Sequence, residues 1–151
     1  MRIRRNTYEK VCHLIASNIR DKVKHRNHVV LGLATGSTPI GIYEKLSKMK
    51  NTNFSDTITF NLDEYVGIDK HHDQSYQYFM NKHLFSNINF RKHYFPTEEN
   101  HNEYDLMIKN SGGIDIQILG IGTNGHIAFN EPGSSRYSAT RLVDLTENTI
   151  K

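Results

Sequence analysis

The sequence predicts an α/β fold, a parallel sheet covered by helices, on three observations. Short β-rich apolar runs recur at 29–34, 57–62 and 114–119, and stretches with helical apolar spacing lie between them. Each of these runs ends on glycines or acids: Gly36, then Asp63 and Glu64, then Gly120 and Gly122. No internal repeat, low-complexity tract or linker interrupts the alternation, which favours strands joined through crossover helices over separate helical and sheet domains.

Taken in order, residues 7–22 carry Val11, Leu14, Ile15 and Ile19 on one helical face. Lys22, Lys24, His25 and Arg26 follow where that helix should end, and cations there complement the helix dipole. The run 29–34 is a strand that stops at Thr35 and Gly36. Pro39 opens a second helix with Tyr43, Leu46 and Met49 on one face, which places Thr38 at its N-cap. The run 57–62 is the next strand. Ser75 has the character of an N-cap for a helix with Tyr76, Phe79, Met80 and Leu84 on one face. Residues 86–100 are loop-like, and Pro96 breaks any long element there. A short helix is expected over 102–108, stopped by Asn110, Gly112 and Gly113, and the strand 114–119 follows. A further strand is expected over 140–145, with Thr146 as the N-cap of a helix that the sequence begins but does not complete. The architecture is therefore a Rossmann-like parallel sheet covered by helices.

The 151 residues suit a single domain. Mean hydropathy is -0.62, and no apolar stretch approaches the roughly 18 residues of a membrane span. The basic start leads into no signal-peptide h-region, so a cytoplasmic protein is expected. The single cysteine, Cys12, cannot form an internal disulfide and reads as a small core residue on the first helix. The net charge of +3 comes from scattered Lys and Arg, which argues against a nucleic-acid partner. Nine histidines raise the question of a metal, with His71, His72 and Asp73 the nearest to a ligand set. Neither HExxH nor a Cys/His pattern occurs, so no metal site is expected.

Chemistry-bearing residues gather at the strand exits. The turn Gly36, Ser37 and Thr38 opens a helix, where unpaired backbone N–H groups and the positive dipole end favour a phosphate; an ordinary capped helix start has the same residues. Asp63 and Glu64 are either catalytic carboxylates or solvated loop acids. In the Gly-rich loop after 119, His126 is able to exchange a proton near neutral pH with Glu131 to orient it, and a structural hydrogen-bonded pair would look the same.

The segments LGLATGSTPIGIYEKL, FNLDEYVGI, HHDQSYQYFM and GIGTNGHIAFNEPGSS, in that order, resemble the glucosamine-6-phosphate deaminase family of aldose–ketose isomerases. The resemblance implies that Gly36, Ser37 and Thr38 bind the 6-phosphate of a sugar-phosphate substrate. It implies that Asp63 takes the C2 proton, and that His126, with Glu131 and Asn124, opens the pyranose ring. Asn124 stands where family members have Asp or Asn, and here it brings no charge. Ammonia and fructose 6-phosphate are the expected products, with no cofactor. A 6-phosphogluconolactonase-like hydrolase and a non-catalytic sugar-phosphate-binding module are the rival readings. The resemblance further implies that 1–151 is the N-terminal part of a longer domain, with phosphate-gripping cations and a lid beyond it and low activity for these residues alone. The segment 90–114 is shorter than the family's usual one. Assembly is left open, a homo-oligomer included.

Overall fold

The computed structural model describes residues 6–146. Helix α1, Tyr8–His25, starts at Thr7, whose side chain accepts from the Lys10 amide. Its buried line is Cys12, Ala16 and Ile19, with Val23 packed against the same cluster. Ile15 and Ile19 of the expected stripe reach this cluster, whereas Val11 and Leu14 stay half-buried at its flank and small Cys12 and Ala16 take the positions facing α2.

Strands β1, Val29–Leu33, and β2, Thr57–Asn61, are buried along their whole length, as central parallel strands covered on both faces must be. They pair in register from Val29 with Thr57 to Leu33 with Asn61. Two short strands flank them among the described residues: β3, Lys92–Tyr94, beside β2, and β4, Ile116–Gln117, beside β1. All three pairings are parallel, and the order is β3-β2-β1-β4. Side-chain alternation divides the core into two faces. Val29, Leu31 and Leu33 meet Cys12, Ala16 and Ile19 of α1, together with Ile42, Tyr43 and Leu46 of α2, Ser37–Ser47. Met80 and Leu84 join the same face from α3, Tyr76–Met80, and the π-helical turn Asn81–Phe85 that continues it. On the other face Val30, Ile58 and Phe60 pack on Tyr104 of α4, His101–Asn110.

Four expectations are corrected. β3 lies inside the supposed loop 86–100; its Lys-His-Tyr sequence shows no apolar alternation because it pairs on one side only and is largely exposed. The expected strand 114–119 contracts to β4, which has a single neighbour among the described residues, although backbone bonds at Asp115 and Ile118 extend the contact with β1 by one residue each way. Residues 140–145 form no strand and run irregularly over the surface, tied by Thr140 to the Asp105 carboxylate. Thr38 is not an N-cap: α2 begins at Ser37 with Gly36 as its cap residue, so Thr38 lies inside the first turn. The helix expected after Thr146 lies outside the described residues. Among the described residues no helix is long and apolar enough to cross a membrane.

Candidate active site

From β1 the chain steps to β2 and then β3 on one side, and returns to place β4 on the other. The order reverses between β1 and β4, and in open parallel sheets ligands bind outside the carboxyl ends of the strands at such a switch point. Three loops leave the sheet at that end: 34–38 after β1, 62–65 after β2, and 118–131 after β4.

The first loop is anchored from below. The Tyr43 hydroxyl donates to the Ala34 carbonyl, fixing the last buried residue before the turn. Gly36 then adopts φ 91° and ψ 177°, a conformation that a side chain would strain, and delivers the amides of Ser37 and Thr38 at the start of an 11-residue helix. No side chain caps this helix end, so its first amides are left to solvent or an anion. The Tyr8 hydroxyl of α1 donates to the Thr38 carbonyl at 2.9 Å and accepts from the Gly41 amide at 3.0 Å, which holds the turn against the body of the protein.

Asp63 is half-buried two residues beyond β2. Burial, and second the negative charge of Glu64, push its carboxyl up to about 7. A carboxylate with such an affinity is half-ionised near neutral pH and suited to take and return a proton. Its neighbour Glu64 is fully engaged elsewhere: Oε1 accepts from the Tyr65 and Tyr76 amides at 2.9 and 3.0 Å, and Oε2 from the Gln77 amide at 2.9 Å.

The third loop is organised by its own polar groups. Asn124 Nδ2 donates to Glu131 Oε2 at 2.8 Å, and Asn124 Oδ1 accepts from the His126 amide at 3.1 Å. Glu131 Oε1 also accepts from the Thr146 hydroxyl at 3.1 Å. The Gly122 amide donates to the His126 carbonyl, and the imidazole lies flat against Gly122, where an added Cβ would sit 2.2 Å from His126 Cε1. His126 Nδ1 is enclosed without a hydrogen-bond partner among the described residues. The Asn124 side chain therefore joins the Glu131 carboxylate to the His126 backbone, while the imidazole itself packs on Gly122.

The second and third loops meet through aromatic rings. Tyr65 of the Asp63 turn, Tyr76 of α3 and Phe129 of the third loop are mutually in contact, with centroids 5.0 to 5.6 Å apart. A cavity of about 940 Å³ opens beside this cluster and is lined by Asp63, Glu64, Lys70, Phe129, Asn130 and Arg141, among others. Its volume lies within the range of small-molecule sites. Gly36, Ser37, Thr38, Asn124, His126 and Glu131 lie outside its lining, and Thr38 lines a second cavity between α1 and α2. No group of three or more His, Cys, Asp or Glu side chains among the described residues is placed to hold a metal ion. His72 pairs with Asp73 on the exposed loop instead.

Sequence reasoning missed the roles of Tyr8, Glu64, Tyr65, Tyr76 and Phe129. All act across distances in sequence from 11 to 64 residues, as with Glu64 and Tyr76. Glu64, weighed as a catalytic or solvated acid, and the aromatic residues within the quoted segments offered a signal, but not of these contacts.

A family model described as glucosamine-6-phosphate isomerases/6-phosphogluconolactonase matches residues 4–147. Over 95% of its length the chain is 51% identical to glucosamine-6-phosphate deaminase of Mycoplasma mycoides and 45% identical to glucosamine-6-phosphate deaminase 2 of Bacillus subtilis. It spans 62% of the length of each. Among solved structures, a monomeric glucosamine-6-phosphate deaminase superposes with a TM-score of 0.91 at 39% identity, covering 97% of this chain and 66% of that one. A 6-phosphogluconolactonase from Thermotoga maritima gives 0.70 at 25% identity, over 83% of this chain and 61% of that one. With its sheet order, its three strand-exit loops and nearly its whole length accounted for, the chain belongs to the glucosamine-6-phosphate isomerase/6-phosphogluconolactonase family.

Proposed function

We propose that the protein carrying this chain is a glucosamine-6-phosphate deaminase, converting glucosamine 6-phosphate and water to fructose 6-phosphate and ammonia in the cytoplasm, in amino-sugar breakdown that includes N-acetylglucosamine catabolism. The observation that carries the reading is Asp63, a carboxylate at a strand exit, facing the cavity, with its proton affinity raised to the neutral range.

The Ser37 and Thr38 amides and the α2 dipole bind the 6-phosphate. His126 exchanges a proton with the ring oxygen while Asn124 and Glu131 orient it, giving the open-chain aldehyde. The aldehyde at C1 acidifies C2–H, and Asp63 removes that proton to leave an enolamine. A proton passes from the C2 ammonium to O1, and return of the abstracted proton to C1 then gives the C1 alcohol and an iminium at C2. Water adds to C2 and ammonia leaves, so the atoms balance without oxidation or reduction. No step calls for a cofactor. The enolamine carries developing charge on O1, where hydrogen bonds from the polar loop are most useful.

The relation to lactonases supplies the competing reading, hydrolysis of a sugar-phosphate lactone. A C2 base has no part in lactone hydrolysis. The test is to supply glucosamine 6-phosphate and 6-phosphogluconolactone separately, measuring ammonia with fructose 6-phosphate in one case and acid release in the other. Ammonia with an equal amount of fructose 6-phosphate supports the deaminase; acid release without ammonia overturns it.

A further inference from the structure

The acid beside the base is committed to the protein's backbone. Glu64 accepts from the amides of Tyr76 and Gln77, the first two residues of α3, and from that of Tyr65 in its own turn. Ser75 Oγ accepts from the Tyr78 amide, and the Phe79 amide returns to the Ser75 carbonyl. Every amide of the first helical turn is thus satisfied, two of them by a side chain that lies 12 and 13 residues away in sequence. Glu64 therefore ties the exit of β2 to a helix whose Met80 and Leu84 are fixed in the core.

We propose that Glu64 is a positioning residue for the reaction, clamping the turn that presents Asp63 to the start of α3 and setting the charge that Asp63 feels. This inference rests on the reading of Asp63 as the C2 base. A cavity-facing carboxyl on a free turn would sample several directions, whereas here the adjacent residue has three fixed bonds. The electrostatic half follows from the same contact, since the Glu64 charge adds to burial in raising Asp63. From the elements packed around the site, Tyr76 of α3 and Tyr104 of α4 also face Asp63, and burial keeps both phenols neutral. The other charged or titratable groups on the cavity wall are Asp69 and Lys70 after the turn and Glu98 and Glu99 before α4. Tyr65 of the turn itself, His101 and Asp105 of α4, and Arg141 complete it.

The test compares Glu64→Gln with Ser75→Ala, which removes the other side-chain acceptor of the same helix start. Each is measured for kcat, KM, melting temperature and the Asp63 carboxyl titration followed by ¹³C NMR. Glu64→Gln is expected to lower kcat at least about tenfold with KM within about threefold, and to move the Asp63 midpoint down by about half a pH unit or more, because a negative neighbour is lost. Ser75→Ala is expected to lower the melting temperature while leaving kcat and the Asp63 midpoint unchanged. Equal kcat in Glu64→Gln and the unaltered protein, or equal effects of the two substitutions on the midpoint, would overturn the proposal and leave Glu64 as a helix cap. Should Glu64→Gln fail to fold, Glu64→Asp carries the test. Charge is kept and reach is lost, so kcat should fall with the midpoint unmoved; unchanged kcat overturns the proposal. The titration does not depend on turnover, so an unaltered protein that releases no ammonia rejects the deaminase reading, while an unmoved midpoint in Glu64→Gln rejects this one.

Discussion

The turn that carries Asp63 and the loop that carries His126 leave the same end of the sheet, yet they are held by different means. Asp63 follows a fully buried strand, and its neighbour is bonded to the start of a helix rooted in the core. His126 follows a two-residue edge strand, and its position depends on bonds among Asn124, Glu131 and its own backbone and on the absence of a side chain at Gly122. The difference matches the two roles proposed for these residues. A C2 base needs a dry, fixed surrounding that raises its proton affinity, whereas a ring-opening group must meet a substrate oxygen that moves as the ring opens. The same difference predicts where substitutions damage chemistry and where they damage stability.

Removing the base should have the largest effect. Asp63→Asn preserves shape but cannot take a proton, and kcat for ammonia release should fall by roughly 10³-fold or more while binding of the sugar phosphate persists. Activity above a tenth of the original would remove Asp63 from that role. The same substitution should stabilise the fold in alkaline solution. With its carboxyl at about 7 when folded, against an ordinary value of 3.8, Asp63 keeps a proton that the unfolded chain releases between those values. Stability therefore declines as pH rises through that window, and above it the ionised group costs roughly 2 to 4 kcal/mol. Denaturant titrations should find Asp63→Asn more stable at pH 8, with the gain shrinking toward pH 4; a constant difference would mean that burial of Asp63 is not the cause.

Gly122→Ala tests the other region. Its Cβ would displace the His126 ring, and kcat should fall by about 10- to 100-fold with little change in melting temperature, since the loop is exposed. Gly125→Ala makes the contrast sharper. Space is open there but φ is +91°, so a stability loss of about 1 to 2 kcal/mol is expected from backbone strain. If Gly125→Ala proves the more harmful to kcat, the ring contact at Gly122 is not what positions His126. The smallest effect expected is none: dialysis against a chelator should leave turnover unchanged, and a loss restored by zinc would reinstate a metal.

The regions also differ in how far they were legible in the sequence. β1 and β2 announced themselves as apolar runs because both faces are covered, and Ser75 was readable as a cap because its bond to Tyr78 is three residues long. β3 was missed and β4 was expected too long, because a strand of two or three residues lacks the burial that writes a pattern into sequence. The capping role assigned to Thr38 failed because Gly36 satisfies the turn through its backbone conformation. Asp63, Asn124, His126 and Glu131 stood out as residue types at strand exits. What binds them did not: Glu64 to Tyr76 and Tyr65 to Phe129 are long-range contacts, which local spacing does not encode.

The most direct test of Asp63 as a neutral-range base is the rate of ammonia release at saturating glucosamine 6-phosphate, followed from pH 5 to 9. The rate should fall about tenfold per pH unit on the acid side of a limb near 7, and Asp63→Asn should abolish the activity that defines the limb. A rate that holds level down to pH 5, with its limb at an ordinary carboxylate value, would contradict the assignment.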